Sequence, residues 1–250
     1  MKKAKVITCT GMFYDLDDPN AFIADVAKVL ASDGVFIAQL MCLRQMLDMG
    51  DVGNLCHEHL EFYSLRSLAE LFGRHDLKII DVEENNVNGG SYRLIAGHLD
   101  AKGRGPDYEK KILDLLEDEE PHMNAAFYRD WLINLAYNRK KCTDFIRQMV
   151  AAGKSVWVYG ASTKGNVILQ WYGLDSSLIT AAADRSPEKH GKYTVGTNIP
   201  IVSEEAFREA KPDFALVLPY AFREEFIARE RAWRDGGGRF IFPLPEFEVV

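Results

Sequence analysis

Cysteine is scarce in this 250-residue chain, and the four present (Cys9, Cys42, Cys56 and Cys142) stand far apart with no C-x-x-C pair. That spacing suggests neither a disulfide framework nor a cysteine zinc site, and makes the cytoplasm the default location. Long hydrophobic runs are missing too: no apolar stretch approaches the roughly 20 residues a membrane helix needs. The N-terminus, MKKAKVITCTGMFYDL, starts basic like a secretory signal, but its apolar stretch is short and Asp15 ends it. Positive charge is in deficit. A formal net charge of −7 argues against general nucleic-acid binding, which needs a basic face. No internal repeat of fixed period is visible. What remains is an ordinary globular composition, 47% hydrophobic and 27% charged, long enough for one large domain or two small ones.

Periodicity divides the chain into strand-like and helix-like runs. Lys5–Thr10 and Val35–Leu40 read as short strands of the near-continuous apolar kind that parallel sheets bury on both faces. Between them Phe22, Ile23, Val26, Val29 and Leu30 recur at helical spacing, with Asp33-Gly34 expected to end that helix. Leu65–His75 is again helical. Leu77–Glu83 and Ser91–His98 read as strands joined by the turn Asn88-Gly89-Gly90. From Pro106 to Gly153 the chain is charged and helical, interrupted at Pro121. A second series then alternates strands and helices from Ser155 to Phe242, the pattern of a parallel sheet with helices on both faces. The fold class expected is α/β, in two units joined by helices.

The second unit opens on VWVYGASTKGNVILQ, residues 156–170: a buried strand, a glycine turn and a helix. This layout aims free backbone N–H groups at a phosphate. The dinucleotide fingerprint G-x-G-x-x-G is met only in part, because Ser162 stands where its second glycine belongs. Asp184 closes the next apolar run, about where a ribose-binding acid would be expected. Three readings are open here: NAD, a different anionic ligand, or glycines that serve only the turn.

Residues 56–64, Cys56-His57-Glu58-His59-Leu60-Glu61-Phe62-Tyr63-Ser64, hold the densest chemistry. A zinc protease needs H-E-x-x-H, and Glu61 occupies the position four after His57, so that reading fails. His57 and His59 lack an evident third metal ligand, and no metal is expected. As a general acid or base the cluster is better suited, since histidine titrates near neutrality and a neighbouring carboxylate fixes its tautomer. The competing reading is a solvated loop before a helix that Ser64 caps.

The motif C-H-E-H-L-E-F-Y-S, followed by D-V-E-E-N-N-V-N-G-G-S-Y-R at 81–93, resembles the S-adenosylmethionine-dependent C-methyltransferases that act on nucleotide-linked deoxysugars. V-Y-G-A-S-T-K-G-N at 158–166 and D-R-S-P-E-K-H-G-K-Y-T-V-G-T-N-I-P-I at 184–201 resemble that family's C-terminal domain. The resemblance covers nearly the whole chain. It implies residues 1–105 as the second half of a methyltransferase-like α/β domain, 106–153 as a helical connector, and 154–250 as a Rossmann-like substrate-binding domain. It implies S-adenosylmethionine as cofactor and transfer of its methyl group to a sugar carbon beside a ketone. His59 is then the base, Glu58 orients or assists it, and His57 is a further catalytic candidate. The second domain holds the nucleotide-linked sugar rather than NAD, with Ser162, Thr163, Lys164, Asp184, Arg185 and Tyr193 as candidates on the phosphate-bearing ligand; Lys192 lies on the same loop.

Two departures fall at the implied active site. Sugar-methylating members often carry a tyrosine at the position of Cys56, and a histidine in the loop where this chain has Tyr14-Asp15. The family's cysteine-rich zinc-binding segment and its cofactor-binding strand with a G-x-G turn have no counterpart here. The chain opens at what resembles the fourth strand of the methyltransferase sheet, and no cofactor-binding residue is assigned. Lys5–Thr10 is therefore expected as a bare sheet edge that pairs with a second copy or with a separate cofactor-binding chain. A truncated product, one part of a split enzyme, and a nucleotide-sugar-binding protein without catalysis are the readings left open. A NAD-dependent oxidoreductase is the alternative outside the family.

Overall fold

The computed structural model describes residues 2–250, which form two compact units. The first comprises residues up to Asp48 and His57–Arg129; the second comprises Met49–Cys56 and Asp130–Val250.

In the first unit the chain runs through β1 (Ala4–Thr10), α1 (Pro19–Val29), β2 (Leu30–Met41), α2 (Leu43–Asp48), α3 (Leu65–Gly73), β3 (Leu77–Asn85), β4 (Ser91–His98) and α4 (Tyr108–Glu119). The sheet order is β1-β2-β4-β3, with β1 parallel to β2 and the other pairs antiparallel. β2 alternates as the pleat requires: Phe36, Ala38 and Leu40 are fully buried. Phe13, Phe22, Phe36 and Phe72 meet edge to face in the core, geometry that suits the aromatic quadrupole. α1 starts at Asp18, whose carboxylate accepts from the Ala21 N–H, with Pro19 in the first turn.

One expectation changes here. Asp33-Gly34 does not end the helix: α1 stops at Val29 and Leu30 enters the sheet at once, opposite Ala4. The register then skips to Val6 opposite Val35, so Asp33-Gly34 sit in a bulge, which also suits turn residues. β1 is an edge strand, as expected for Lys5–Thr10, with Val6 57% exposed and Cys9 buried; no strand flanks its outer side among the described residues.

Glu119, at the end of α4, is only 1% exposed. Its carboxylate accepts from the backbone N–H of Leu65 at 2.6 Å and from the Tyr92 hydroxyl at 2.7 Å. It caps α3 from outside its own sequence, while Ser64 caps it from within through a reciprocal bond with Ser67.

The second unit contains most of α5 (Ala125–Ala151), then β5 (Val156–Tyr159), α6 (Thr163–Tyr172), β6 (Ala182–Ala183), β7 (Ile201–Val202), α7 (Glu204–Ala210), β8 (Phe214–Val217), α8 (Arg223–Arg229), α9 (Arg231–Asp235), β9 (Arg239–Phe242) and β10 (Glu248–Val249). Its sheet order is β10-β9-β8-β5-β6-β7, parallel except for β10. β5 is buried at every position. β7 and β10 were not legible as strands, since two residues carry no period. Tyr159, Phe207, Phe226, Trp233 and Phe240 form the aromatic centre of this core. Among the described residues, no helix is long and apolar enough to cross a membrane.

Candidate active site

In the first unit the polar chemistry gathers beyond the carboxyl end of β1. Gly11 turns the chain out of the strand, and Phe13–Asp15 form one turn of 3-10 helix with Phe13 fully buried. The carbonyl oxygen of Tyr14 then accepts two hydrogen bonds, from the N–H groups of Leu60 at 2.9 Å and Glu61 at 3.1 Å. These bonds tie the histidine turn to the loop after β1. They bring the His59 imidazole edge-on to the Tyr14 ring, with centroids 4.6 Å apart and planes at 64°. His59 is half-buried, whereas His57 and Glu58 are exposed. No hydrogen bond or ion pair engages Glu58 or His57 among the described residues, so the Glu58 carboxylate is available to a neighbouring cation. Tyr14 is the group sequence reasoning missed. It stood out only as a substituted position, and its contact with His59 depends on chain pairing across more than 40 residues.

Nearby, the Tyr63 ring packs on Phe13 at 5.2 Å and its buried hydroxyl lacks a hydrogen-bond partner. Burial, aided by the Glu61 carboxylate, pushes that phenol well above its ordinary range. Among the described residues, no group of three or more His, Cys, Asp or Glu side chains could hold a metal ion.

In the second unit, β5 ends at Gly160, whose φ is +86°. A Cβ there would lie 2.5 Å from Pro219 Cγ, so the close approach of the β5 and β8 turns requires glycine. Ser162 caps α6, its hydroxyl accepting from the Gly165 N–H at 3.0 Å. The Asp184 carboxylate is turned inward. It accepts from the N–H groups of Ala161 and Ser186 and from the Lys189 ammonium, at 2.9, 2.8 and 3.1 Å. Lys189 also donates to the Ala161 carbonyl, which closes the turn from both sides.

A cleft of about 360 Å³ opens beside this turn, lined by Gly160, Arg185, Pro219, Phe222, Glu225 and Arg229 among others. It lies at the carboxyl ends of β5 and β8, where the strand order reverses: β6 and β7 extend the sheet on one side of β5, β8 and β9 on the other. Ligands of open α/β sheets bind at that switch point. Arg229 is neutralised by Glu204 and Glu225. Arg185 is exposed and makes no ion pair among the described residues. Behind the cleft, Glu230 accepts from the Tyr159 hydroxyl and from Arg208, both at 2.6 Å. Burial opposes its charge, yet those donors hold the carboxyl below its ordinary range.

Of the residues singled out from sequence, Asp184 and Arg185 line the cleft, whereas Ser162, Thr163, Lys164 and Tyr193 do not. Ser162 is the helix cap and Thr163 is exposed in the first turn of α6. Lys164 pairs with Asp51 at 3.3 Å. Tyr193 is 63% exposed and bridges to Pro200 through its backbone.

Comparison with known proteins gives these sites a common setting. Residues 86–245 match the family described as C-methyltransferase C-terminal domain, and residues 1–82 match a methyltransferase domain family. The chain belongs to the C-methyltransferase family. It is 32% identical over 251 residues to C-methyltransferase NovU of Streptomyces niveus, an alignment covering 99% of this chain and 59% of that relative. S-adenosylmethionine is the methyl donor that such families imply. After the parallel strand β1 the chain passes from Gly11 to the buried Phe13 and Tyr14, and no residue there is assigned to that cofactor.

Proposed function

We propose that this C-methyltransferase chain performs the acceptor side of methyl transfer to a nucleotide-linked keto-deoxysugar. The edge-on contact of His59 with Tyr14 carries the reading, because it fixes the orientation of a half-buried imidazole at the carboxyl end of a parallel strand. S-adenosylmethionine, when bound, supplies an electrophilic methyl group. The chain's own share is to make the acceptor carbon nucleophilic. His59 removes the proton from the carbon beside the ketone, and the Glu58 carboxylate, otherwise unengaged, stabilises the imidazolium that results. His57, exposed on the same turn, is the second titratable group within reach of the acceptor.

The second unit holds the nucleotide part. Its cleft is within the roughly 300–1,000 Å³ usual for small-molecule sites, and the uncommitted guanidinium of Arg185 suits a diphosphate. Phe222, 53% exposed at the rim, offers a face to a base. Backbone N–H groups near Ser162 and Thr163 add a positive helix end. An oxidoreductase reading has less support, since the Asp184 carboxylate is consumed by the turn instead of facing a ribose.

Proton exchange tests the acceptor chemistry without the methyl donor. In D2O, a nucleotide-linked keto sugar should exchange its proton beside the ketone in the presence of the chain, and His59→Ala should slow this by about 10²-fold or more. Exchange no faster than in buffer would leave a binding protein without catalysis. Titration with a nucleoside diphosphate should show saturable binding that Arg185→Gln weakens by about tenfold. Saturable binding of S-adenosylhomocysteine by the chain alone would overturn the restriction of this chain to the acceptor side. The bare edge of β1 is given a partner strand in the same proposal, and sedimentation showing only monomer over a wide concentration range would count against it.

A further inference from the structure

The second unit's part of α5 commits one side to its own core, where Leu135, Cys142 and Ile146 are buried. The opposite side carries Asp130, Ile133, Tyr137 and Lys140, all exposed. They follow one another at three, four and three residues, which sets them in a single stripe along the helix. Ile133 is 60% exposed and Tyr137 58%, with Leu132 open beside them. The Lys141 ammonium lies over the Tyr137 ring, 4.5 Å from its centroid. Single exposed apolar side chains are ordinary on a protein surface. An aliphatic and an aromatic side chain adjoining at this spacing, with a charge at either end, form the seam along which two helices pair.

We propose that this stripe is a dimerisation seam, on which the α5 helix of a second copy of the chain packs antiparallel. The order of the charges selects that occupant. A spacing of three, four and three reads the same in both directions, so a reversed copy meets the stripe position for position. Ile133 then lies against the partner's Tyr137, and Asp130 against the partner's Lys140. Twofold symmetry makes each of these contacts twice. A parallel copy would instead set Asp130 on Asp130 and Lys140 on Lys140, and like charges opposed across an interface are repelled. Lys140 already pairs with Asp144 on its own helix, but both side chains are more than half exposed, so that pair is worth little and can be shared. A single pair of helices falls below the roughly 1,200 Å² of a standard stable interface, and the dimer is accordingly weak and reversible. The seam is a different surface from the edge of β1, and it does not depend on the acceptor chemistry.

Sedimentation equilibrium of the full chain, from low micromolar to submillimolar concentration, is expected to show a monomer–dimer equilibrium. Ile133→Lys should weaken it by about tenfold or more. Asp130→Lys and Lys140→Glu should each weaken it by about fivefold, because each sets like charges face to face at both ends of the antiparallel seam. An equimolar mixture of those two variants should associate as the unaltered chain does, since every charged contact between them is again of opposite sign. Tryptophan fluorescence shows that each variant remains folded; where Ile133→Lys does not, Ile133→Gln takes its place. A monomer at every concentration would overturn the proposal. So would a dimer indifferent to Ile133→Lys, which would place the contact elsewhere, the β1 edge included. A dimer that weakens with Ile133→Lys yet ignores both single charge variants would overturn the antiparallel arrangement, and with it the choice of partner made from the charges.

Discussion

Two strand–glycine–helix junctions, one in each unit, share a layout and differ in almost everything that surrounds it. At the first, β1 is an exposed edge strand, Gly11 has φ +66°, and a Cβ on it would meet only the Tyr14 hydroxyl at 3.8 Å, an ordinary contact. At the second, β5 is central and buried throughout, and Gly160 is pressed against Pro219. At the first junction a backbone carbonyl, that of Tyr14, accepts from a distant segment, Leu60 and Glu61. The second turns its polar groups on itself through Asp184, Lys189 and Ser162. A glycine turn after a strand therefore does not identify a phosphate site. The neighbours that claim its N–H and C=O groups decide what it does.

The four tryptophans, Trp131, Trp157, Trp171 and Trp233, all lie in the second unit, so fluorescence reports its unfolding separately from the first unit. Gly160→Ala should have the largest effect: a clash with the Pro219 ring at positive φ is expected to cost about 3 kcal/mol or more, seen as an early fluorescence transition in urea. Asp184→Asn removes charge-assisted bonds to two N–H groups and an ammonium, and should destabilise the same transition by about 2 kcal/mol. Gly11→Ala meets open space and pays mainly for its backbone angle. A loss of about 1 kcal/mol is expected in far-ultraviolet dichroism, with the tryptophan transition unmoved. If Gly11→Ala proved as damaging as Gly160→Ala, the contrast between the junctions would fail.

The smallest effect concerns acid. The Ser155 N–H, the Lys154 ammonium and the Ser155 hydroxyl hold Asp213 down from 3.8 to about 2, against a small cost of burial. A depressed carboxyl stabilises the fold fully above its unfolded value and loses that contribution as pH falls through its folded value. Asp213→Asn should therefore flatten the decline of the tryptophan transition between about pH 4 and pH 2 and leave the shape of the curve at neutral pH unchanged. An unchanged acid limb would show that Asp213 does not join β5 to β8 as its bonds indicate.

Much of the architecture could be read before the structure was known, for reasons that are local. The helix of Phe22 to Val29, the capping Ser64 and the Asn88-Gly89-Gly90 turn each announce themselves within a few residues. The bulge at Asp33-Gly34 could not be read, because the same residues end helices. Nor could the burial of Glu119, whose partners Leu65 and Tyr92 are set by the sheet and not by spacing. At the candidate site, His59 and Arg185 were legible from residue type, as side chains suited to base catalysis and to anions. Tyr14 was not, since it acquires its role from a contact between segments far apart in the chain.

Burial also sorts the thiols. It raises those of Cys9 and Cys42 to about 11 and that of Cys142 to about 12, so at neutral pH these three are both enclosed and protonated. Cys56 alone among the four is half-open to solvent, one residue before His57. A maleimide fluorophore applied to the native protein near pH 7 would thus settle on the one position from which the histidine turn can be watched, and the molecule carries its own attachment point for an optical probe without any cysteine having to be engineered in or out.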